Sequence, residues 1–355
     1  MTLSLNLGRP SESEDRIQVP REESVEERTV AVDVRGLAKK FGSFEAVRST
    51  SFQVLQGESF GLLGPNGAGK STLIRMLTTL LVPTSGEAWI SGFHLRKQSN
   101  KVRRSIGVIP QALTSDPELT ALENLNFYAR LYKVPWSRRR KLVNEILESV
   151  DLAEWKHKLV GTFSGGMRRR LEIGRALVHE PKVLFLDEPT TGLDPASRLA
   201  MWEMITRLKA QTGMTIFLTT HYMEEADQLC DRIAIFDHGQ IIAMDTPENL
   251  KSSTPGDQMI EARFQNAPDD WERRISTLPS VQTVEAQNGT YRIRTQDILA
   301  TVSALAIRAQ ENSVSVSSLG IRGKTLEDVF VQYTGRKLRD VPEKSFHREI
   351  RHLYK

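Results

Sequence analysis

The stretch LLGPNGAGKSTLIRML, from Leu62 to Leu77, constrains the fold of this chain more than any other feature. An apolar run leads into it, and the apolar spacing after its last glycine is typical of a helix. Glycines allow the backbone to turn tightly, and the start of a helix leaves backbone N–H groups without partners. Lys70 adds one positive charge at that point. The segment therefore predicts an anion site where a buried strand meets a helix.

The spacing Gly64-x4-Gly69-Lys70-Ser71 matches the phosphate-binding loop, or P-loop, of nucleotide-hydrolysing proteins. Backbone N–H groups of such a loop surround phosphate oxygens, while the helix start adds partial positive charge. We expect Lys70 to reach the β- and γ-phosphates of ATP and Ser71 to ligate Mg²⁺. A glycine turn without a ligand is the alternative, and the full motif in its context counts against it. The residues predicted to bind the phosphates are Gly64, Pro65, Asn66, Gly67, Ala68, Gly69, Lys70, Ser71 and Thr72.

The segment KVLFLDEP supplies two carboxylates. Asp187 ends an apolar strand, where its burial would be costly unless it faced a cation or the water shell of one. We therefore expect Asp187 to hold Mg²⁺. Glu188 follows at the end of the strand, where it can polarise an attacking water. An acidic pair that only starts a turn is the alternative, and the P-loop makes it the minor one.

Two further motifs flank this strand, TFSGGMRRRLEIGRAL before it and TTGLDP after it. With them, the residues from about 30 to 250 resemble the ATP-binding subunit of an ABC transporter. The resemblance implies a homodimer that encloses two ATP molecules. It also implies that Ser164, Gly165 and Gly166 act in trans on the γ-phosphate held by the P-loop of the other chain. A serine hydroxyl and glycine N–H groups at a helix start suit an anion.

Other positions of the family pattern have counterparts in this chain. Gln111 in GVIPQ matches the glutamine that approaches Mg²⁺ and water, and His221 matches the histidine that contacts the γ-phosphate. Asp194 lies in the loop that links the two ATP sites, and Phe41 matches the aromatic that stacks on adenine, although Phe44 is close by. The resemblance thus implies catalytic roles for Glu188, His221 and Gln111, and Mg²⁺ ligands at Ser71, Gln111 and Asp187.

The signature motif departs from the usual family sequence, Leu-Ser-Gly-Gly-Gln. Phe163 and Met167 stand at its first and last positions, and we assign no ligand role to Met167. Together FSGGMRRRLEIGRAL, TTHYMEEAD and TLEDVFVQYTG resemble the ATP-binding subunits of drug-resistance exporters of the daunorubicin type. The resemblance implies export of a drug, an antibiotic, a lipid or a polysaccharide. It also implies a C-terminal extension, which begins here at about residue 256.

The order of predicted elements indicates the fold class. Strands alternate with helices from Arg28 to Lys251, which predicts an α/β fold, a P-loop NTPase of the ABC ATPase type with a helical subdomain at about 112–165. The pattern then becomes β-α-β-β-α-β, with Asn288-Gly289 between two alternating strands. That order predicts a small C-terminal α+β domain of the ferredoxin-like type.

We expect four regions along the chain. They are a disordered polar tail at 1–28, an ABC ATP-binding domain at 29–252, an accessory α+β domain at 256–340 and an amphipathic tail helix at 341–355. The tail helix is predicted because Phe346, Ile350 and Leu353 share one helical face.

Composition excludes several classes of protein. The net charge of +4 over 355 residues is too weak to indicate a nucleic-acid partner. Cys230 is the one cysteine, so no internal disulfide can form. The sequence has no apolar run of about eighteen residues, and its charged beginning lacks the core of a signal peptide. The basic runs WSRRRKL and MRRRLEIGR are interpreted as solvated helix faces.

The sequence therefore predicts an ATP-hydrolysing motor subunit at the cytoplasmic face of a bacterial membrane, where it drives a separate polytopic permease. One alternative is a soluble ABC ATPase that acts on ribosomes, but such proteins usually join two ATPase domains and this chain has one P-loop. The other is a nucleotide-gated regulatory subunit. The presence of Glu188, Gln111 and His221 gives no support for a degenerate site.

Overall fold

The computed structural model describes residues 29–253, 258–287 and 289–335. The tail predicted at 1–28, the tail helix predicted at 341–355 and residues 254–257 of the predicted linker lie outside these ranges. We call residues 29–253 the α/β domain and residues 258–322 the C-terminal sheet domain.

The α/β domain contains the strand, loop and helix that the sequence predicts around the P-loop, with β3 followed by α1. Its strands are β1 Val30–Phe41, β2 Phe44–Leu55, β3 Ser59–Leu63, β4 Ser85–Ile90, β5 Phe93–His94, β6 Ile106–Ile109, β7 Val183–Asp187, β8 Thr215–Thr220, β9 Arg232–Asp237 and β10 Gln240–Asp245. Its helices are α1 Lys70–Leu77, α2 Ser99–Ser105, α3 Ala121–Leu131, α4 Trp136–Ser149, α5 Gly165–Leu177, α6 Pro195–Thr212, α7 Met223–Leu229 and α8 Pro247–Ser253.

The central sheet of this domain has the strand order β10-β9-β3-β8-β7-β6. Strands β9, β3, β8, β7 and β6 are parallel, and β10 pairs with β9 in the antiparallel sense. Every residue of β3, β7 and β8 is buried, as expected for parallel strands that are covered on both faces. The predicted α/β class is confirmed, and the carboxyl ends of the parallel strands meet at one edge of the sheet.

A second, antiparallel sheet has the order β2-β1-β4-β5, and the sequence patterns above did not predict it. Its strands alternate between buried and exposed residues, so one face joins the domain core. That core contains Phe60 of β3, Leu73 of α1 and Phe185 of β7. The P-loop helix is therefore packed between the two sheets.

The stretch from about 112 to 165 is mostly helical, as predicted, with α3, α4 and the 3-10 turns Ala153–Trp155 and Val160–Thr162. The capping box at the start of α3 is confirmed. The Thr120 hydroxyl accepts from the Glu123 N–H at 3.2 Å, and the Glu123 carboxylate accepts from the Thr120 N–H at 2.8 Å.

The C-terminal sheet domain consists of β11 Gln258–Gln265, α9 Trp271–Ser276, β12 Val281–Gln287, β13 Thr290–Thr295, α10 Ile298–Glu311 and β14 Ser315–Arg322. Its antiparallel sheet has the order β12-β13-β11-β14, which confirms the predicted ferredoxin-like arrangement. Its own apolar core contains Ile260, Trp271, Ile293 and Leu305.

The helix α11, Leu326–Thr334, returns to the α/β domain. Its residues Leu326, Val329 and Phe330 are buried in the same core cluster as Ala226 of α7 and Leu250 of α8. Among the residues that the structure describes, no helix combines the length and the apolar character needed to cross a bilayer.

Candidate functional site

The predicted site residues converge at the carboxyl edge of the central sheet. The loop Gly64–Thr72 follows β3, His221 follows β8, Glu188 follows β7, and Gln111 lies two residues beyond β6. These strands are neighbours in the order β3-β8-β7-β6. The sheet therefore brings together four segments that are far apart in the sequence, at the position where open α/β sheets hold ligands.

Glycine is required at two positions of the P-loop because backbone atoms approach it closely. A Cβ atom at Gly64 would lie 2.0 Å from the Phe236 carbonyl oxygen, and one at Gly69 would lie 2.3 Å from the Ala46 carbonyl oxygen. Gly69 also has a φ of +106°, in the left-handed region. The loop can thus curl tightly before α1, with Asn66 and Gly67 exposed at its tip.

Lys70 is almost fully buried and turns back into the loop. Its Nζ donates to the Gly64 carbonyl at 2.7 Å and to the Pro65 carbonyl at 3.0 Å. Nζ also lies 3.3 Å from Oε1 of Glu188. Burial lowers the pKa of Lys70, while the carboxylates of Glu188 and Asp187 act in the opposite direction. One buried ammonium group therefore joins the loop to the end of β7.

Glu188 is buried among three partners. Besides Lys70, His221 Nδ1 lies 3.3 Å from Oε2, and the Thr191 hydroxyl donates to Oε2 at 3.1 Å. Burial alone would raise the pKa of Glu188, but the contact with His221 and the charge of Lys70 outweigh it and lower the pKa to about 2. Its backbone has a φ of +50°, which is uncommon outside glycine. A strained, buried, anionic carboxylate is typical of a functional position.

Asp187 and Ser71 lie next to each other below the loop. The Ser71 hydroxyl donates to Asp187 Oδ1 at 3.2 Å, and the Thr219 hydroxyl donates to the same oxygen at 2.7 Å. A hydroxyl beside a buried carboxylate is an oxygen pair of the kind that Mg²⁺ prefers when a phosphate supplies further ligands. The residues present therefore fit the predicted Mg²⁺ site.

The signature residues Ser164, Gly165 and Gly166 and the loop that contains Asp194 lie next to each other, at the starts of α5 and α6. Ser164 caps α5 by accepting from the Met167 N–H at 3.2 Å, and Asp194 caps α6 by accepting from the Ser197 N–H at 3.0 Å. A Cβ atom at Gly166 would lie 3.2 Å from Ser197 Oγ, so the two helix starts adjoin. Ser164, Gly165 and Asp194 are exposed. Met167 instead packs against the core, and Phe163 is buried in it.

One functional candidate, Arg169, was not predicted. Its guanidinium donates to the backbone carbonyls of Asp187 at 3.0 Å, Glu188 at 3.1 Å and Pro189 at 2.8 Å. It also donates to the carbonyl of Gln111 at 3.3 Å. Arg169 thus fixes the signature helix to the loops that carry the predicted base and the predicted glutamine.

The interpretation of MRRRLEIGR as a solvated helix face was wrong for two of its arginines. Arg169 and Arg175 are buried, because each meets enough acceptors to replace water. Arg175 donates to both carboxylate oxygens of Glu172, at 2.9 and 3.0 Å. The other run, WSRRRKL, fits its interpretation, with Arg138 and Arg140 exposed.

Phe41 and Gln111 have fewer contacts that bear on their predicted roles than the residues described above. Phe41 ends β1 at the tip of the β1–β2 hairpin, and Lys39 Nζ lies 5.1 Å from the centre of its ring. The same hairpin contributes Ala46, whose carbonyl approaches Gly69. The tip therefore lies beside the P-loop, where an aromatic ring can stack on a base. Gln111 is exposed at its loop.

Comparisons with known proteins agree with this geometry. The profile of the family described as ABC transporter matches residues 47–191. The chain is 39% identical over 314 residues to the linearmycin resistance ATP-binding protein LnrL of Bacillus subtilis (strain 168), covering 87% of this chain and 100% of that one. It is 40% identical over 315 residues to the daunorubicin/doxorubicin resistance ATP-binding protein DrrA of Streptomyces peucetius, covering 88% and 94%.

A solved structure of an ATP-binding cassette has a similar fold. The chain is similar to a dimeric ATP-binding cassette in a post-hydrolysis state bound to ADP and Pi, with a TM-score of 0.55 and 27% identity. The match covers 61% of this chain and 98% of that one. The P-loop geometry, the family profile and the relatives point to one conclusion. The chain belongs to the ATP-binding subunits of ABC transporters, in the drug-resistance branch, and is an ATPase.

Proposed function

We propose that this ATPase works as a homodimer that closes on two ATP molecules and drives a separate membrane permease in export. The observation that carries the proposal is the pair of exposed, adjoining helix starts at Ser164 and Asp194. Helix starts favour anions because their N–H groups lack partners. The atoms nearest to a Cβ added at Gly165 or Gly166 belong to Leu193, Ser197 and Ser164, and not to the P-loop of the same chain. A second copy can bring its own bound nucleotide to this surface.

Each predicted site residue has a role that its position supports. The loop Gly64–Thr72 binds the phosphates, and Ser71 and Asp187 hold Mg²⁺, with Gln111 as a third ligand. Bound Mg²⁺ supplies charge neutralisation at the phosphate oxygens. Glu188 accepts a proton from the attacking water, and His221 orients Glu188 and meets the γ-phosphate.

The ion pair between Lys70 and Glu188 links ATP binding to the pKa of Glu188. The Lys70 ammonium faces the Glu188 carboxylate at 3.3 Å. A γ-phosphate attracts Lys70 more strongly, because it offers more negative charge at close range. Lys70 then releases Glu188, whose pKa rises toward the range of a useful base. ATP binding would thereby activate its own hydrolysis.

We infer that the permease docks on the surface of α3. Phe127, Leu131 and Tyr132 are exposed there, and Leu80 and Val82 lie exposed after α1. A cavity of about 210 Å³ opens between these segments, and Leu80, Tyr128 and Tyr132 line it. Exposed apolar side chains grouped around a cavity in this way are typical of a protein interface. The permease would offer a short cytoplasmic helix, which would hold the ATPase at the cytoplasmic face of a bacterial membrane.

The cargo is proposed from the relatives. The names of the two curated proteins associate them with resistance to linearmycin and to daunorubicin and doxorubicin. We propose that the permease partner of this chain exports a drug, an antibiotic, a lipid or a polysaccharide. The present chain supplies the motor, while the permease selects the cargo.

The test is capture of the partner. Tagged Glu188→Gln protein is expressed in its host with ATP present, membranes are solubilised gently, and co-purifying proteins are identified by mass spectrometry. We expect one polytopic protein in stoichiometric amount. Replacing Phe127 and Leu131 with alanine should abolish capture, whereas Trp136→Ala, which removes an aromatic side chain 83% exposed on α4, should not. Recovery with ribosomes, or with no membrane protein, would overturn the proposal.

A further inference from the structure

Glu225 on α7 is a buried carboxylate that no step described above uses. It lies four residues after His221 and has 0% of its surface exposed. Its Oε1 accepts from the Thr190 hydroxyl at 2.7 Å and from the Trp202 Nε1–H at 3.1 Å. Its Oε2 has no hydrogen-bond partner among the residues that the structure describes.

The two donors to Glu225 come from different parts of the catalytic edge. Thr190 is fully buried two residues after Glu188, and its neighbour Thr191 donates to the Glu188 carboxylate. Trp202 lies on α6, the helix that Asp194 caps. Glu225 itself belongs to the helix that begins directly after His221 and Tyr222. One carboxylate oxygen therefore ties together the segments that carry Glu188, Asp194 and His221.

The surroundings of Glu225 keep this connection rigid. The Arg198 guanidinium lies 4.0 Å from the centre of the Tyr222 ring, and the rings of His221 and Tyr222 are 4.2 Å apart. On its other side α7 is held by α11, since Ala226 and Phe330 belong to one core cluster. A shift of Glu225 would be passed to His221 at one end and to Thr190 at the other.

Stability alone does not account for a carboxylate here. Burying a charged group costs free energy, and a well-packed apolar side chain of similar volume is often as stable or more so. A polar group that accepts from the loop of Glu188 and from α6 in one geometry has a use that an apolar group lacks.

We propose that Glu225 is a positioning residue for ATP hydrolysis, acting through Thr190 on the loop of Glu188 and through α7 on His221. The inference rests on the proposed roles of Glu188 and His221. It concerns the chemical step and not nucleotide binding, because the donors to Glu225 come from the loop after Glu188 and from α6, and not from the P-loop.

The test measures kcat and KM for ATP with Mg²⁺ on the full-length protein. Glu225→Ala should lower kcat about tenfold to a hundredfold and change KM by less than about threefold, since small misplacements of reacting groups have effects of this size. Glu225→Gln keeps a carbonyl oxygen as acceptor and should restore kcat to within about threefold of wild type. Glu224→Ala alters the neighbouring, exposed glutamate of the same helix and should leave both constants unchanged.

A second variant covers the possibility that Glu225→Ala does not fold. Thr190→Val removes one donor with little change of shape, and it should lower kcat in protein that remains folded. If the two residues act as a unit, the double variant should be no slower than Glu225→Ala alone. A purely structural role would lower the melting temperature and leave kcat per nucleotide-binding molecule unchanged.

The outcomes separate this inference from the proposed function. Wild-type hydrolysis by Glu188→Gln would remove the proposed base and the inference with it. An inactive Glu188→Gln combined with wild-type kcat in both Glu225→Ala and Thr190→Val would leave the proposed base intact and overturn the positioning role.

Discussion

The α/β domain and the C-terminal sheet domain differ most in what they bury. Within the described residues, the charged side chains that are buried all belong to the α/β domain, among them Lys70, Arg169, Asp187, Glu188 and Glu225. The buried polar side chains of the C-terminal sheet domain are Thr295 and Thr301, whose hydroxyls lie 2.6 Å apart.

This difference indicates that the α/β domain carries the reaction, whereas the C-terminal sheet domain depends on apolar packing. Buried charges cost free energy, and the group of Lys70, Asp187 and Glu188 at one sheet edge is the kind of arrangement expected of a reaction site. The C-terminal sheet domain relies on apolar packing around Trp271, and its ion pairs, such as Arg292 with Glu261, are at the surface where they contribute little. We therefore expect changes in the first domain to affect turnover, and changes in the second to affect stability.

The largest expected effect is on turnover, in Glu188→Gln. The amide cannot accept the proton of the attacking water, so kcat should fall about a hundredfold or more. ATP binding should persist, and a closed dimer should accumulate because hydrolysis no longer opens it. Phosphate release measures the first effect, and light scattering after gel filtration with ATP measures the second. Phosphate release near the wild-type rate would contradict the assignment.

In Trp271→Ala we expect an effect on stability and not on turnover. Trp271 is fully buried in the C-terminal sheet domain, and its truncation should lower the free energy of unfolding of that domain by about 3–5 kcal/mol. The matched control Trp136→Ala removes an exposed tryptophan and should change stability by less than about 0.5 kcal/mol. Urea denaturation followed by circular dichroism makes the measurement. A lower kcat in folded Trp271→Ala protein would contradict the expectation that changes in the C-terminal sheet domain affect only stability.

A smaller effect is expected on nucleotide affinity in Lys70→Ala. A hydrogen bond to a charged group contributes about 1.5–3 kcal/mol, so the Kd for ATP should rise about tenfold to a hundredfold. The control Lys141→Ala changes a lysine whose side chain is 81% exposed on α4, and it should bind like wild type. Titration with a fluorescent ATP analogue tests both. Unchanged affinity in Lys70→Ala would remove the P-loop lysine from the proposed site.

The sequence predicted the parts of the site that depend on local backbone geometry. The P-loop spacing dictates a strand, a glycine turn and a helix, and close backbone approaches at Gly64 and Gly69 leave no room for other residues. The caps at Ser164 and Asp194 likewise follow from short-range hydrogen bonds. Such features can be read from a few adjacent residues.

Features that depend on distant contacts could not be predicted in this way. Arg169 and Arg175 stand in a basic run whose spacing looks like a solvated face, but each also donates to a residue outside that run, Asp187 for Arg169 and Thr114 for Arg175. In the sequence Glu225 cannot be distinguished from its exposed neighbour Glu224, because its contacts with Thr190 and Trp202 appear only in the folded structure. The strand order that brings these loops together is also not contained in any local pattern.

The smallest expected effect is the pH dependence of stability in acid, which should arise from Glu188 of the α/β domain. Its pKa is about 2 in the folded state against an ordinary value of 4.5, so it is depressed by folding. Its contribution to stability is therefore fully present above about pH 4.5 and is lost as the pH falls toward 2. The difference in the free energy of unfolding between wild type and Glu188→Gln should be constant from pH 7 to about pH 5 and should shrink below that. Trp271→Ala should show no such narrowing relative to wild type, because it removes no carboxylate. A constant difference for Glu188→Gln down to about pH 3 would show that Lys70 and His221 do not hold Glu188 in its charged form.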